Sequence, residues 1–382
     1  MALHRMISAA SGVIEPPDLW SSRLPSRFAD LCPRMAETEA GVVWTAAHRL
    51  ASPPAWLDAL GDAHGHPRKI SLSAAAWMAT AEGRRWIQER DQVVAEALYS
   101  TGPVWDLINA TEDRDFIVAC YQAYNDWLAE FCAENPERFI GVAKVPSTGA
   151  EDATAELTRA VESLGLKGVV LDAWPAGPEL PPAAKQCAAF WETAAGLGAP
   201  ISIYRPLSGG REPELSIGPG GNPEFYSDLT SIIYANIPDR YPDIRFVSVA
   251  PNCGWAPPAF EALSESYMRM AATRKIALAD PDLYPSDYMR RFFWYVTQED
   301  RTAVLNRSYM GEAHLMWGSF AFMDHNAVWP NTRQLFERVT AGVAEPFRAR
   351  LAHDNCARLY GAANASRFTP EEIKAYDSYA LL

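Results

Sequence analysis

Basic charge is scarce in this sequence. Lys and Arg number 34 against 47 Asp and Glu, a net charge of −13. Nucleic acid needs a basic face, and no basic stripe is present, so a nucleic-acid partner is excluded and an anionic membrane surface is disfavoured. Long apolar runs are also missing. No run of roughly 18 apolar residues occurs, and the first residues, MALHRMISAASGV, lack the apolar core of a signal peptide, so no membrane association is expected and the cytoplasm is the expected compartment. Cysteine is sparse. The six residues Cys32, Cys120, Cys132, Cys187, Cys253 and Cys356 are widely spaced and form no CxxC pair. That pattern indicates neither a disulfide framework nor a zinc ribbon, and predicts reduced, buried thiols at five of them, with Cys253 set apart by its position.

What is present is an ordinary globular composition, 48% hydrophobic and 21% charged over 382 residues, with 13 Trp and 29 Pro suited to long, packed loops. The length fits two domains or one large barrel. Short apolar runs at 6–13, 92–99, 140–145, 167–171, 200–204, 244–250, 292–297 and 314–320 read as buried parallel strands. Amphipathic patterns between them, clearest at 112–135, 150–164 and 182–197, read as helices. This alternation predicts an α/β fold, a (β/α)₈ TIM barrel, as a single domain over 1–382. Residues 26–70 lack a clear period and are expected to form a loop-rich insertion after the first strand, near the barrel mouth. Residues 71–90 read as helix. His64-Gly65-His66 mimics a ligand pair, but its Gly- and Pro-bounded setting reads as an exposed turn.

Several stretches resemble the amidohydrolase-related family that includes aminocarboxymuconate-semialdehyde decarboxylase. They are MISAASGVIEPPDLW at the start, YNDWLAEFC at 124–132, PISIY at 200–204, MWGSFAFMDHNAVWPNT at 316–332 and NCARLYG at 355–361. The resemblance covers nearly the whole chain apart from 26–70. It implies the same (β/α)₈ barrel, a small-molecule substrate, and a homodimer or higher homo-oligomer, since family members often form dimers.

It also implies where a metal would be bound, and here the chain departs from the pattern. Family members show Asp and His on the first strand where this chain has Ala10 and Gly12. They show His where this chain has Tyr204, an acidic residue or His near Ala250, and Asp after Gly-Ser where Phe320 stands. None of these side chains is a usual ligand for a catalytic cation. The expectation is therefore a divergent member with no metal and no other cofactor.

Chemistry is then left to polar residues at strand ends. His325 suits a general base, with Asp324 or Asp172 as its orienter, because its ordinary pKa lies near neutrality. Tyr204 takes a ligand's inward place and can act as general acid. Arg205, Asn252, Cys253, Trp255, Phe320 and Lys144 are the candidate substrate contacts, Arg205 through a bidentate grip on a carboxylate. Each has a plainer reading: a buried lysine stem, a packed thiol, an Asx turn over 324–326. The expected activity is metal-free acid–base catalysis on a small aromatic or polyketide-like molecule, by hydrolysis, decarboxylation or cyclisation/isomerisation. Two alternatives stay open: a non-catalytic partner of an active paralogue, and a metal-dependent hydrolase or decarboxylase with a relocated site.

Overall fold

A computed structural model describes residues 5–39, 41–47, 49–51, 70–204, 223–249, 252–271, 277–323 and 329–362. Eleven strands occur among them: β1 (Ile7–Val13), β2 (Arg34–Thr38), β3 (Gly41–Ala46), β4 (Arg49–Leu50), β5 (Ala95–Ser100), β6 (Phe139–Lys144), β7 (Gly168–Leu171), β8 (Ile201–Ile203), β9 (Phe246–Ser248), β10 (Phe293–Thr297) and β11 (Leu315–Trp317). Eight make one sheet in the order β1-β5-β6-β7-β8-β9-β10-β11, with helices between successive strands, as a (β/α)₈ barrel requires. Each of these eight overlaps one of the apolar runs, its ends displaced by a few residues at most.

The chain forms two compact units, and it passes from one to the other within β6. The first holds β1 to β5, most of β6, and the segment 318–337. Its core is aromatic. Trp20 packs edge-on against Trp44 and Trp105 at 5.2 and 5.8 Å, and Trp105 continues to Tyr121 and Tyr124 on the long helix Arg114–Glu134. That helix starts where the Asp113 side chain accepts the Phe116 N–H, and its buried stripe includes Ile117, Tyr121, Tyr124, Leu128 and Phe131.

Within 26–70 the described residues are more regular than the sequence suggests. Strands β2, β3 and β4 form an antiparallel sheet, anchored by the fully buried Trp44. The helical stretch 71–90 is two helices, Leu72–Met78 and Ala81–Asp91. Thr80 divides them because its hydroxyl accepts the Gly83 N–H at 3.1 Å, a cap that restarts the helix.

The second unit holds β7 to β11 and the helices around them, with Phe246 stacked on Phe293 at 5.2 Å and Trp191 against Phe246 at 6.1 Å. The last apolar run, expected to be extended to Phe320, is strand only to Trp317. Phe320 and Phe322 take φ of +49° and +64°, which L-residues rarely adopt, and the chain there turns back on itself. Among the described residues no helix is long and apolar enough to cross a membrane.

Candidate functional site

In the first unit, β1 is bound to the segment that follows β11. The Phe320 N–H donates to the Ala10 carbonyl at 2.9 Å and the Gly12 N–H to the Ala321 carbonyl at 2.8 Å. Three wholly buried hydroxyls fasten the same seam. Ser11 donates to Ser8 at 2.9 Å and meets the Ser319 hydroxyl at 2.9 Å, while Ser8 accepts the Ser319 N–H at 2.8 Å. With the Ser11 proton given to Ser8, it is Ser319 that donates to Ser11.

This packing bears on positions 10, 12 and 320. A β-carbon built on Gly12 would lie 2.3 Å from the Phe322 carbonyl oxygen, a backbone atom held by the seam. The Gly12 carbonyl accepts from Arg84 Nη1 at 2.6 Å, and the Phe320 ring is 1% exposed. Ala10, Gly12 and Phe320 thus offer no donor side chain, and the space beside Gly12 is filled by main chain. Ala250 lies outside the described residues. Among the described residues no three of His, Cys, Asp or Glu are grouped so as to hold a metal ion.

In the second unit the carboxyl ends of the strands carry a tight ion pair. Lys144, the last residue of β6, places Nζ 2.6 Å from Asp172, which follows β7. The lysine side chain is 5% exposed and the aspartate 26%, so the pair has a dry end and a wet end. A carboxylate so placed can accept a hydrogen bond or a proton from a ligand, while the ammonium holds its orientation. Tyr204 follows β8 directly and is half-buried.

The turn Asn252–Trp255 after β9 is held from below by Asp300, whose carboxylate accepts the Cys253 and Gly254 N–H groups and caps the helix Arg301–Leu305 at Ala303. A side chain on Gly254 would strike the same carboxylate, at 2.5 Å from Oδ1. Asn252 sits at φ +73° and its carbonyl accepts the Trp255 indole N–H. Cys253 is buried, and burial, reinforced by the nearby Asp300 charge and opposed by Thr297, raises its thiol pKa well above the usual value. A thiol held protonated is a poor nucleophile.

Of the residues singled out in the sequence, Lys144 and Asp172 are brought together, Asn252, Cys253 and Trp255 share one turn, and Phe320 packs against β1. Arg205, Asp324, His325 and the His64–His66 pair lie outside the described residues. Two residues were missed. Asp300 carries a signal, an acidic residue just before a short helix. Glu15 has none: wholly buried, it accepts the Thr101 N–H at 2.9 Å and hydroxyl at 2.5 Å, tying the end of β1 to the end of β5.

The sequence profile of the Amidohydrolase family matches residues 61–362. The chain belongs to that family. Over 65 residues it is 37% identical to gamma-resorcylate decarboxylase of Rhizobium radiobacter, 17% of this chain and 20% of that one, so the match spans about a fifth of the relative's length. The fold is that of solved decarboxylases. One is 5-carboxyvanillate decarboxylase from Sphingomonas paucimobilis, with TM-score 0.66 at 19% identity over 94% of this chain and 99% of that one. Another is 5-carboxyvanillate decarboxylase from Novosphingobium aromaticivorans, solved with manganese and 4-hydroxy-3-methoxy-5-nitrobenzoic acid, with TM-score 0.65 at 15% identity over 94% and 96%.

Proposed function

We propose that this member of the Amidohydrolase family acts without a metal, by acid–base catalysis on a small aromatic acid, with decarboxylation as its reaction. The observation that carries the reading is the packing at Gly12. The position resembling a ligand on β1 has no side chain, and the Phe322 carbonyl stands where one would begin. Ala10 and Phe320 lack donor atoms, so the described residues do not fit a catalytic cation. The aromatic substrate and the choice of decarboxylation come from the likeness to gamma-resorcylate and 5-carboxyvanillate decarboxylases.

Decarboxylation of an electron-rich aromatic acid needs a proton placed on the ring carbon bearing the carboxylate. The carbon–carbon bond then breaks, its electron pair returns to the ring, and carbon dioxide leaves. Tyr204, Asp172 and the Asp324–His325 pair are the proposed proton carriers, with Lys144 holding Asp172 in place through their 2.6 Å pair. Arg205 and the Asn252–Trp255 turn are the proposed substrate contacts. Residues 26–70 are proposed to lie over the mouth of a single barrel domain, in the manner of a cap.

The test is turnover of 2,6-dihydroxybenzoate and 5-carboxyvanillate, followed by carbon dioxide release, before and after prolonged chelation, with metal content measured in parallel. Activity retained in metal-free protein and lowered by Tyr204→Phe or His325→Ala is the expected result. Loss of activity on chelation, restored by manganese, overturns the metal-free reading. The burial of Phe320 favours a second reading, a non-catalytic relative, and that one predicts no turnover while binding of the acids persists.

A further inference from the structure

The helix Ala81–Asp91 turns an unusual face inward. Arg84, Gln88 and Asp91 fall four and then three residues apart, so they share one stripe. All three are buried to within 2% of completely, as are their neighbours Glu96 and Thr332. A stripe in that position is normally apolar, since an unpaired polar group in a dry core is destabilising.

Part of the demand is met inside the cluster. Glu96 Oε2 accepts from Arg84 Nε at 2.8 Å and from Gln88 Nε2 at 2.9 Å; Arg84 Nη1 donates to the Gly12 carbonyl; and Asp91 Oδ1 accepts the Thr332 N–H at 2.9 Å. Four buried atoms complete no well-formed hydrogen bond within the protein: Arg84 Nη2, Gln88 Oε1, Asp91 Oδ2 and Thr332 Oγ1. The Thr332 hydroxyl stands beside the Asp91 carboxyl and interacts with it, without the geometry of a full hydrogen bond. Together the four provide donors and acceptors of both kinds. A buried water typically makes two to four bonds to just such groups.

We propose that this face of the helix Ala81–Asp91 is an internal-water site, its occupants bridging Arg84 Nη2, Gln88 Oε1, Asp91 Oδ2 and Thr332 Oγ1 behind the seam of β1. Water is the ligand chemistry that fits. The fixed groups are a guanidinium paired with a carboxylate, an amide, a hydroxyl and a second carboxyl, with no surplus charge calling for an ion when Asp91 holds its proton. The charged groups facing Asp91 are Glu96, which favours that proton, and Arg84, which opposes it. The site does not depend on whether the enzyme is metal-free, and it ties the end of β1 through Arg84 to the start of the helix Thr332–Val339 through Asp91.

A crystal structure of the whole protein at high resolution tests the proposal directly. Ordered water within hydrogen-bond distance of at least two of the four atoms is expected. Density showing Arg84 bonded to Gln88 and Thr332 to Asp91, with no water between, overturns it.

Discussion

The carbonyl oxygen of Phe322 lies 2.3 Å from where a β-carbon on Gly12 would stand, closer than any real pair of such atoms comes. The obstacle is main chain, fixed by the Gly12–Ala321 and Phe320–Ala10 bonds, so it cannot swing aside as a side-chain tip would. Gly12→Ala is therefore expected to destabilise by about 1–3 kcal/mol, read from urea unfolding midpoints. Installing ligands at three positions together, Ala10→Asp, Gly12→His and Phe320→Asp, is expected to yield no stoichiometric manganese or zinc. Recovery of a tightly held ion in that triple variant shows that the segment 319–323 yields easily, and sinks the account.

Asp91 sets a pH dependence whose direction is fixed. Burial is the main reason its pKa rises from 3.8 to about 8; its bonds to Thr332 and the Arg84 charge oppose the rise, and the Glu96 charge adds to it. The folded protein holds this proton more firmly than the unfolded chain. The resulting stability is fully present below about pH 4 and is lost as pH climbs through about 8, by at most about 1.4 kcal/mol per pH unit for a single proton. Asp91→Asn, which still accepts the Thr332 N–H, should flatten that part of the profile. Denaturant unfolding between pH 5 and pH 9 in the two proteins is the measurement, and parallel curves count against the assignment.

The pair Lys144–Asp172 should be non-additive. Removing Asp172 takes that carboxylate from an ammonium that is 5% exposed, and removing Lys144 leaves a carboxylate that is 26% exposed and better able to reach water. Asp172→Asn and Lys144→Met are each expected to lower kcat by a factor on the order of a hundred or more, if Asp172 carries a proton in the reaction. The double variant should lose little beyond the worse single one. Losses that multiply show that the two act separately.

Asp300 is expected to act on substrate binding through the turn it holds. Asp300→Ala leaves the N–H groups of Cys253, Gly254 and Ala303 without an acceptor, a loss of about 1–3 kcal/mol in stability. Asp300→Asn retains an acceptor and should recover most of that. If the Asn252–Trp255 turn contacts substrate, KM rises in Asp300→Ala more than kcat falls, and a kcat effect alone argues for a different role.

The barrel strands were legible because a buried parallel strand is a short, nearly unbroken apolar run, and eight of these stand out between helical patterns. The antiparallel strands β2 to β4 were not. RMAET is largely exposed and GVVWTA reads as apolar in isolation, so neither shows the alternation that marks a half-buried strand. That residues 10, 12 and 320 carry no side-chain donor is visible in the sequence. What closes the space beside Gly12 is not, since the approach of Phe322 to Gly12 depends on two left-handed residues that no sequence rule favours. The helix AEGRRWIQERD hid its polar face in a different way. With charges all round it, Arg84 and Asp91 look no more buried than Arg85 and Glu89.

The seam between β1 and the chain beyond β11 is fastened by Ser8, Ser11 and Ser319 and by backbone amides, with the buried Arg84 bonded to the Gly12 carbonyl beside them. Serine hydroxyls and amides do not titrate near neutrality, and the Arg84 charge there is buried away from added electrolyte. Salt and acidity should therefore loosen other parts of the protein first, and the amide protons of Gly12 and Phe320 should be among the slowest to exchange with deuterium at any ionic strength.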